Sequence, residues 1–557
     1  MNPLQHDPPW KKLILFGALG ALIYFMAQVL PSAMDTFSAG SNDRVIEKSE
    51  AQAQAVAFIT EQYGVQPTST HVVHQSDKIL NGYLSKEKLL DTYDKQYNQR
   101  FPADTFQVEV RTPRQDNPAR TTLYYVYVHM ESGQIVAWNK FSRDFQTDED
   151  KAAIGANYEQ AVETAKEFAT QQGFRPQELR AHPGIDSNGL LTFDVIGSKI
   201  SEAQLQLRIR TAQTANNEIL ALTYKPQFVV PDSYTDYVER QDRLASFMSF
   251  GGYLLFTAIL FILAIIYAAL YRQYSSFIRG LFITGVFLAF YLVNNFNMAD
   301  GIRAGFGETQ DAGSFVAAGM IITILITLLM AASVYFSLVG GDALWRQMGF
   351  KLWPRFREQG YGVHVWRSMK LSYLLAFMLM GVQTVIFIVL QNGIGMWTTS
   401  DVTQSPYNLG MLWLFPMLAW CAAISEEAIY RLFGIGLLYK WFKNKFFASL
   451  IPTVIWAMGH VSYPIYPSTT RLIELTIVGL LFSYIFIKFG FITAVFTHAI
   501  FNSVMMAIML FFYGSAVNII AGIVYIVLPV IIAWIIKFWH EKRGPKPQVT
   551  VPPSMQQ

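Results

Sequence analysis

Three short polar clusters interrupt the apolar C-terminal third of this chain: Glu426-Glu427-x-x-x-Arg431, Trp456-x-x-x-His460 and His498-x-x-x-Asn502. Each lies in its own helix-length hydrophobic run, where an ionisable group costs roughly 2.5 kcal/mol or more and so marks a site. The residue types suit hydrolysis. A carboxylate can take a proton from water while a histidine orients that water. A second histidine and an amide can donate to a developing oxyanion, an effect worth ~3–4 kcal/mol per donor. One glutamate and two histidines (Glu426, His460, His498) also make a zinc ligand set with an open position. Spacing leaves the metal-free and zinc readings both open. Neither a His-Glu-x-x-His motif nor a Gly-x-Ser-x-Gly nucleophile elbow occurs.

Helical geometry divides these residues by role. Glu427 and Arg431 are one turn apart, in the favourable order for a brace along one face. Glu426 then points about 100° away. His498 and Asn502 project toward one point, and Trp456, a turn before His460, can wall the pocket. Counted at ~1.5 Å per residue from the expected inner helix ends, Glu426, His460, His498 and Asn502 fall ~12–21 Å deep. The plainer alternatives are an ion pair that only holds helices together, an asparagine acting as interhelical glue, or a proton-coupled transporter using the two glutamates. The recurrence of all three clusters on separate helices favours a shared site.

The elements that must position them are membrane helices. Of 557 residues, 52% are hydrophobic and 15% charged, against about 25% charged in soluble domains. The net charge of +3 excludes an electrostatic case for nucleic acid. The only cysteine, Cys421, is intramembrane, so no disulfide framework exists. An apolar run from Leu13 to Leu30 is read as an uncleaved anchor, with a signal peptide ending near Pro31-Ser32-Ala33 as the competing reading. Further spans are expected at 247–270, 277–296, 313–339, 369–392, 408–439, 446–461, 471–488, 490–512 and 517–538, making about ten. Arg272, Arg279, Arg346, Lys351, Lys440, Lys443 and Lys542 lie in one set of loops; Asp300, Glu308, Asp311 and Asp401 lie in the other, with Arg303 and Arg471 as its only basic residues. The positive-inside bias puts both termini in the cytoplasm and residues 34–243 outside.

The fold expected is a polytopic all-α membrane bundle with an inserted extracytoplasmic α+β domain. Its parts are a tip and anchor (1–33), the α+β domain (34–243), membrane helices with a cytoplasmic loop (244–368), a catalytic membrane domain (369–540) and a disordered tail (541–557). Within 34–243, Ile59, Gln62, Gly64, Val65 and Pro67 recur 109 residues later as Phe168, Gln171, Gly173, Phe174 and Pro176. Each copy then carries a hairpin: Leu123–His129 with Gln134–Trp138, and Leu205–Ile209 with Ile219–Tyr224 around Asn216-Asn217. This helix-then-hairpin plan resembles PepSY-type modules. His71, His74, His129 and His182 are scattered and suggest no catalysis, so the domain is expected to bind an unidentified ligand.

With the three motifs in hand, residues ~370–512 resemble the CPBP family, the CAAX proteases and bacteriocin-processing enzymes (Abi family). These are membrane endopeptidases that include the type II CAAX prenyl endopeptidases. The resemblance implies Glu426 as the base, His460 as its partner, His498 and Asn502 as oxyanion donors, and Glu427, Arg431 and Trp456 in support. The family often has Gly where this chain has Leu432 and Phe where it has Trp456. It implies a protease, with metal dependence and hence zinc left open, acting on a membrane-associated protein or peptide. The main alternative is a non-catalytic receptor or scaffold.

Overall fold

The computed structural model describes residues 8–31, 33, 45–114, 120–141, 153, 157–186, 188–213 and 219–543. The expected tip before residue 8, the Asn216-Asn217 turn, Ser32 and nearly all of the expected disordered tail lie outside them.

The α+β domain is one eight-stranded antiparallel sheet. Its strands are β1 (Ser69–Ser76), β2 (Asp104–Pro113), β3 (Thr121–His129), β4 (Ile135–Phe141), β5 (Leu179–Ala181), β6 (Leu191–Ile200), β7 (Ala203–Gln213) and β8 (Ile219–Val229). They run in the order β1-β2-β3-β4-β8-β7-β6-β5. Each half is therefore a helix (Lys48–Tyr63 or Tyr158–Gln171) followed by a four-strand meander, and the two halves join where Trp138 and Asn139 pair with Tyr224 and Thr223. Both expected hairpins are present as β3–β4 and β7–β8; the other four strands extend them. Gly64 and Gly173 take the left-handed conformation (φ 65° and 83°) just beyond the two helices, where a side chain would be strained.

Alternation along β3 assigns each face. Tyr124, Val126 and Val128 join the core beneath the helices, with the Tyr124 ring 4.7 Å from that of Tyr63. Tyr125 and Tyr127 point the other way and bond to Thr309 (2.6 Å) and Glu308 (2.8 Å) in a loop of the membrane domain. The period-2 rule thus explains why a strand with two buried faces reads as nearly continuous apolar and aromatic sequence.

That second face is docked by charge. Asp300, in the short helix Ala299–Phe306, meets Lys48 at 3.0 Å and His71 at 2.9 Å. Arg303 reaches Glu109 at 2.6 Å, and Glu308 takes Lys225 at 2.6 Å. The Asn408 side chain bonds both the N–H and the carbonyl of His74 (2.7 and 2.9 Å), covering the open edge of β1.

Among the described residues, nine helices are long and apolar enough to cross a membrane. The chain is a multi-pass membrane protein. Several boundaries differ from the periodicity. The span expected at 247–270 begins at Asp232, so one 39-residue helix leaves the sheet domain and enters the bundle without a break. The span expected from 408 opens with short 3₁₀ turns, and its α-helix starts at Met417, after Pro416. The segment expected at 446–461 is a 14-residue helix, Lys445–Met458, that ends at Gly459. It is shorter than the other nine, yet it carries the chain from Lys440, bonded to Gln347, to Tyr466, packed in the sheet-domain core. The first helix, Trp10–Val29, packs against Tyr361–Ile394 through facing Gly20 and Gly381, where a Cβ on either would meet backbone within 2.5 Å.

Burial by itself would raise the Asp300 carboxyl. The hydrogen bond from His71 and the charge of Lys48 outweigh it and hold the group at about 2, against an ordinary 3.8. A depressed carboxyl stabilises the folded state fully above its unfolded value and loses that contribution as pH falls through the folded value. Docking should therefore be intact above about pH 4 and weaken toward pH 2, with Asp300 accounting for on the order of 1 kcal/mol after solvent screening. Thermal melts of wild type and Asp300→Asn from pH 6 to 2 should converge across that window.

Candidate functional site

The first motif sits where α-helix gives way to a wider turn. Met417–Glu426 is α-helical, Glu427–Ile435 is π-helical, and Gly436–Phe442 returns to α. Single π segments recur at functional sites, because the extra residue per turn rotates side chains off the regular stripe. Glu427 and Arg431 are both fully buried, and their ion pair measures 3.4 Å. No nitrogen of the Arg431 guanidinium has a hydrogen-bond partner among the described residues. Its charge is met instead by Glu427 and by two aromatic faces, Trp456 at 4.3 Å and Phe482 at 5.6 Å.

Trp456 connects this buried pair to the open part of the site. Its ring covers Arg431, its indole N–H donates to Glu426 Oε2, and its carbonyl oxygen lies 3.0 Å from His460 Nδ1. The ring reaches this position because residue 479 is glycine: a Cβ there would come within 2.7 Å of the indole and 2.6 Å of Thr453. The carbonyl can only accept, so His460 carries its proton on Nδ1 and presents an Nε2 lone pair. That Nε2 is 3.7 Å from Glu426 Oε1.

His498 approaches from the helix Phe491–Phe512. Its Nδ1 donates to Glu427 Oε1 at 2.9 Å, its Nε2 stands 3.7 Å from Glu426 Oε2, and its ring lies 4.8 Å from that of Phe482. The Glu426 carboxylate therefore has a histidine Nε2 on either side. Glu426 and His460 keep 19% and 17% of their side-chain surface exposed, whereas Glu427 and Arg431 keep none, so only the former pair can meet a substrate.

The structure brings Glu426, Glu427, Arg431, Trp456, His460 and His498 into one contact network. Asn502, one turn beyond His498, is half-buried and forms no hydrogen bond among the described residues. The three expected zinc donors do not fit an ion as placed. Glu426 Oε2 is taken by the Trp456 indole, and no group of three or more His, Cys, Asp or Glu among the described residues could hold a metal.

Sequence reasoning missed several partners. Glu427, expected to brace Arg431 alone, also holds His498; the π segment, invisible to 3.6-residue counting, brings it there. Trp456 contributes an N–H where a wall was expected. Tyr463 meets His460 edge to face (5.4 Å) and lies under Arg471 (5.1 Å), and Arg471 pairs at 2.8 Å with fully buried Glu474, which accepts from Gln383. Glu474 was detectable as an acid inside an apolar helix.

A family model described as type II CAAX prenyl endopeptidase Rce1-like matches residues 408–504. Over that segment the chain is similar to the CAAX proteases. The match contains all seven residues named above and none of the sheet domain. Neither a curated protein nor a solved structure matches the chain. The match supports intramembrane protease activity, on a protein or peptide, in general terms.

The two glutamates should fail differently. Glu427→Ala strands a buried guanidinium, a loss of about 3–5 kcal/mol, whereas Glu426→Gln keeps a polar group at a partly open position and should melt within a few degrees of wild type. Gly479→Ala should cost about 1–3 kcal/mol by displacing Trp456. Melting temperatures of the three purified variants check the order.

Proposed function

We propose that the protein is an intramembrane endopeptidase that hydrolyses a membrane-associated protein or peptide with water activated by Glu426 and His460. The observation that carries this reading is the placement of Glu426: partly exposed, oriented by Trp456, and 3.7 Å from His460 Nε2. A water hydrogen-bonded to Glu426 Oε1 and to the free lone pair of His460 Nε2 would be aimed by both. On attack, Glu426 takes the water's proton, the carbonyl oxygen becomes an oxyanion, and Glu426 then protonates the leaving amine.

His498 and Asn502 are the candidate oxyanion donors. His498 already gives its Nδ1–H to Glu427, so donation from Nε2 needs a second proton and an imidazolium ring. Glu427 stands beside that charge, as the aspartate of a serine-protease triad does beside its histidine. Asn502, with no competing partner among the described residues, has its amide N–H free for the same oxygen. No step passes through a metal, because the donor set does not fit one.

In this reading residues 369–540 are the catalytic membrane domain, both termini are cytoplasmic, and residues 34–243 form an extracytoplasmic domain of two PepSY-like modules. Support for the orientation is the alternation of basic and acidic loops; support for the modules is the repeated helix-and-meander order.

Wild-type and Glu426→Gln proteins should differ by at least 10³-fold in peptide release, compared by proteomics of membrane and released fractions, with equal folding. Normal processing by the glutamine variant would sink the mechanism. Purified active enzyme should contain well under one equivalent of zinc and retain activity in EDTA; stoichiometric zinc lost together with activity would restore the metal reading.

A further inference from the structure

One large opening in the described structure is far from the three motifs. A cavity of about 600 Å³ lies between the edge of the sheet domain and the membrane-domain loop at 400–407, extending to Tyr513 at the end of the His498 helix. Clefts of this size between structural units are favoured ligand sites. Its charge is one-sided. Asp91, Asp94, Asp104, Glu131 and Asp401 line it, and among the described residues no lysine or arginine does. Asp91, Asp94 and Asp401 have no cationic partner among the described residues. Burial alone would raise the Asp104 carboxyl, but hydrogen bonds from His74, Ser76 and Asn81 hold it below its ordinary value, so it is ionised at neutral pH. Tyr93, Tyr407 and Tyr513 supply aromatic surface beside these carboxylates, a combination that attracts ammonium or guanidinium groups.

Two buried histidines in the wall define the rest of the ligand. His129, 2% exposed, accepts the backbone N–H groups of Glu131 and Ser132 at Nδ1 (3.2 and 3.1 Å). Its proton therefore resides on Nε2, a buried donor without a partner. His74, 8% exposed, faces Asp104 with Nε2 at 3.3 Å, which leaves Nδ1 as an acceptor, also without a partner. A buried donor and a buried acceptor left unpaired cost free energy that a ligand carrying both can relieve. Peptide bonds carry both; a simple polyamine carries donors only.

We infer that this interdomain cavity is a binding site for a short cationic peptide, whose basic side chains meet the carboxylates while its backbone pairs with His74 and His129. The site is separate from the hydrolytic machinery, and the inference does not depend on peptidase activity.

The test uses full-length protein in nanodiscs of neutral phosphatidylcholine at 150 mM salt, with tri-lysine as the probe in calorimetric titration. Tri-lysine should bind at least tenfold more tightly than spermidine, and tri-glutamate should not bind. Asp104→Asn combined with Asp401→Asn should weaken tri-lysine at least tenfold. Should that pair disturb folding, Asp91→Asn with Asp94→Asn, at exposed helical positions, should weaken it at least threefold. His129→Phe should weaken tri-lysine and leave spermidine unchanged. Equal affinity for spermidine would make this a polyamine site and overturn the inference. So would tri-lysine binding no tighter than tri-glutamate, or affinity unchanged in the folded carboxylate variants.

Discussion

Glu427 is a carboxylate with no solvent, held in the interior of a membrane bundle by a histidine at 2.9 Å and an arginine at 3.4 Å. Each partner would be costly alone: an arginine with unbonded nitrogens, a histidine in an apolar helix, an acid at membrane depth. Together they neutralise one another, and in doing so they join two helices. The π segment sets Glu427 between Arg431 and His498; Trp456 closes over Arg431 and delivers its N–H to Glu426. The open carboxylate that can meet substrate is therefore aimed by a closed one that cannot. Adjacent residues of one type have opposite duties because one faces the bundle interior and the other an accessible space.

The same bundle is tied to the sheet domain by a continuous helix. Asp232–Leu270 buries Tyr234 and Val238 in the sheet-domain core, bonds Asp242 to Tyr466 (2.7 Å) and Gln241 to Ser468 (2.8 Å), and lays Tyr253 against Gly459, the residue before His460. Thr257 then meets Tyr430 in the π segment at 2.9 Å. The turn carrying His460 is thus clamped between this helix and a strand pair, Trp397-Thr398 with Ile465-Tyr466, that touches the sheet domain. His460 has no helix of its own beyond Gly459, so these contacts determine where its ring stands.

Much of the architecture was legible from local pattern. Long apolar runs located the spans, and alternation located two hairpins of the sheet. The 109-residue echo located the two halves. Errors fell where local pattern is silent. Helix ends moved because a polar helix (232–247) and an apolar one (255–270) share one axis, which hydropathy treats as a boundary. Lys445–Met458 falls outside a count by length because it is apolar but only 14 residues long. Two of the remaining strands, β1 and β2, were obscured because one face meets charged groups of the membrane domain, as His71 meets Asp300 and Glu109 meets Arg303.

By itself the sequence determined which residues have the chemistry: carboxylates, imidazoles and an amide recur in helices too apolar to hold them without purpose, and residue type does not depend on the fold. Only the tertiary structure decided how those groups are shared. Whether Glu427 serves Arg431 alone or His498 as well depends on one π-helical turn. Whether Trp456 is a wall or a donor depends on a glycine at position 479. Whether His74 and His129 are surface residues or the buried lining of an acidic cavity depends on how the sheet docks on the bundle. Each is a relation between segments tens to hundreds of residues apart, set by packing and charge pairing that no local spacing encodes.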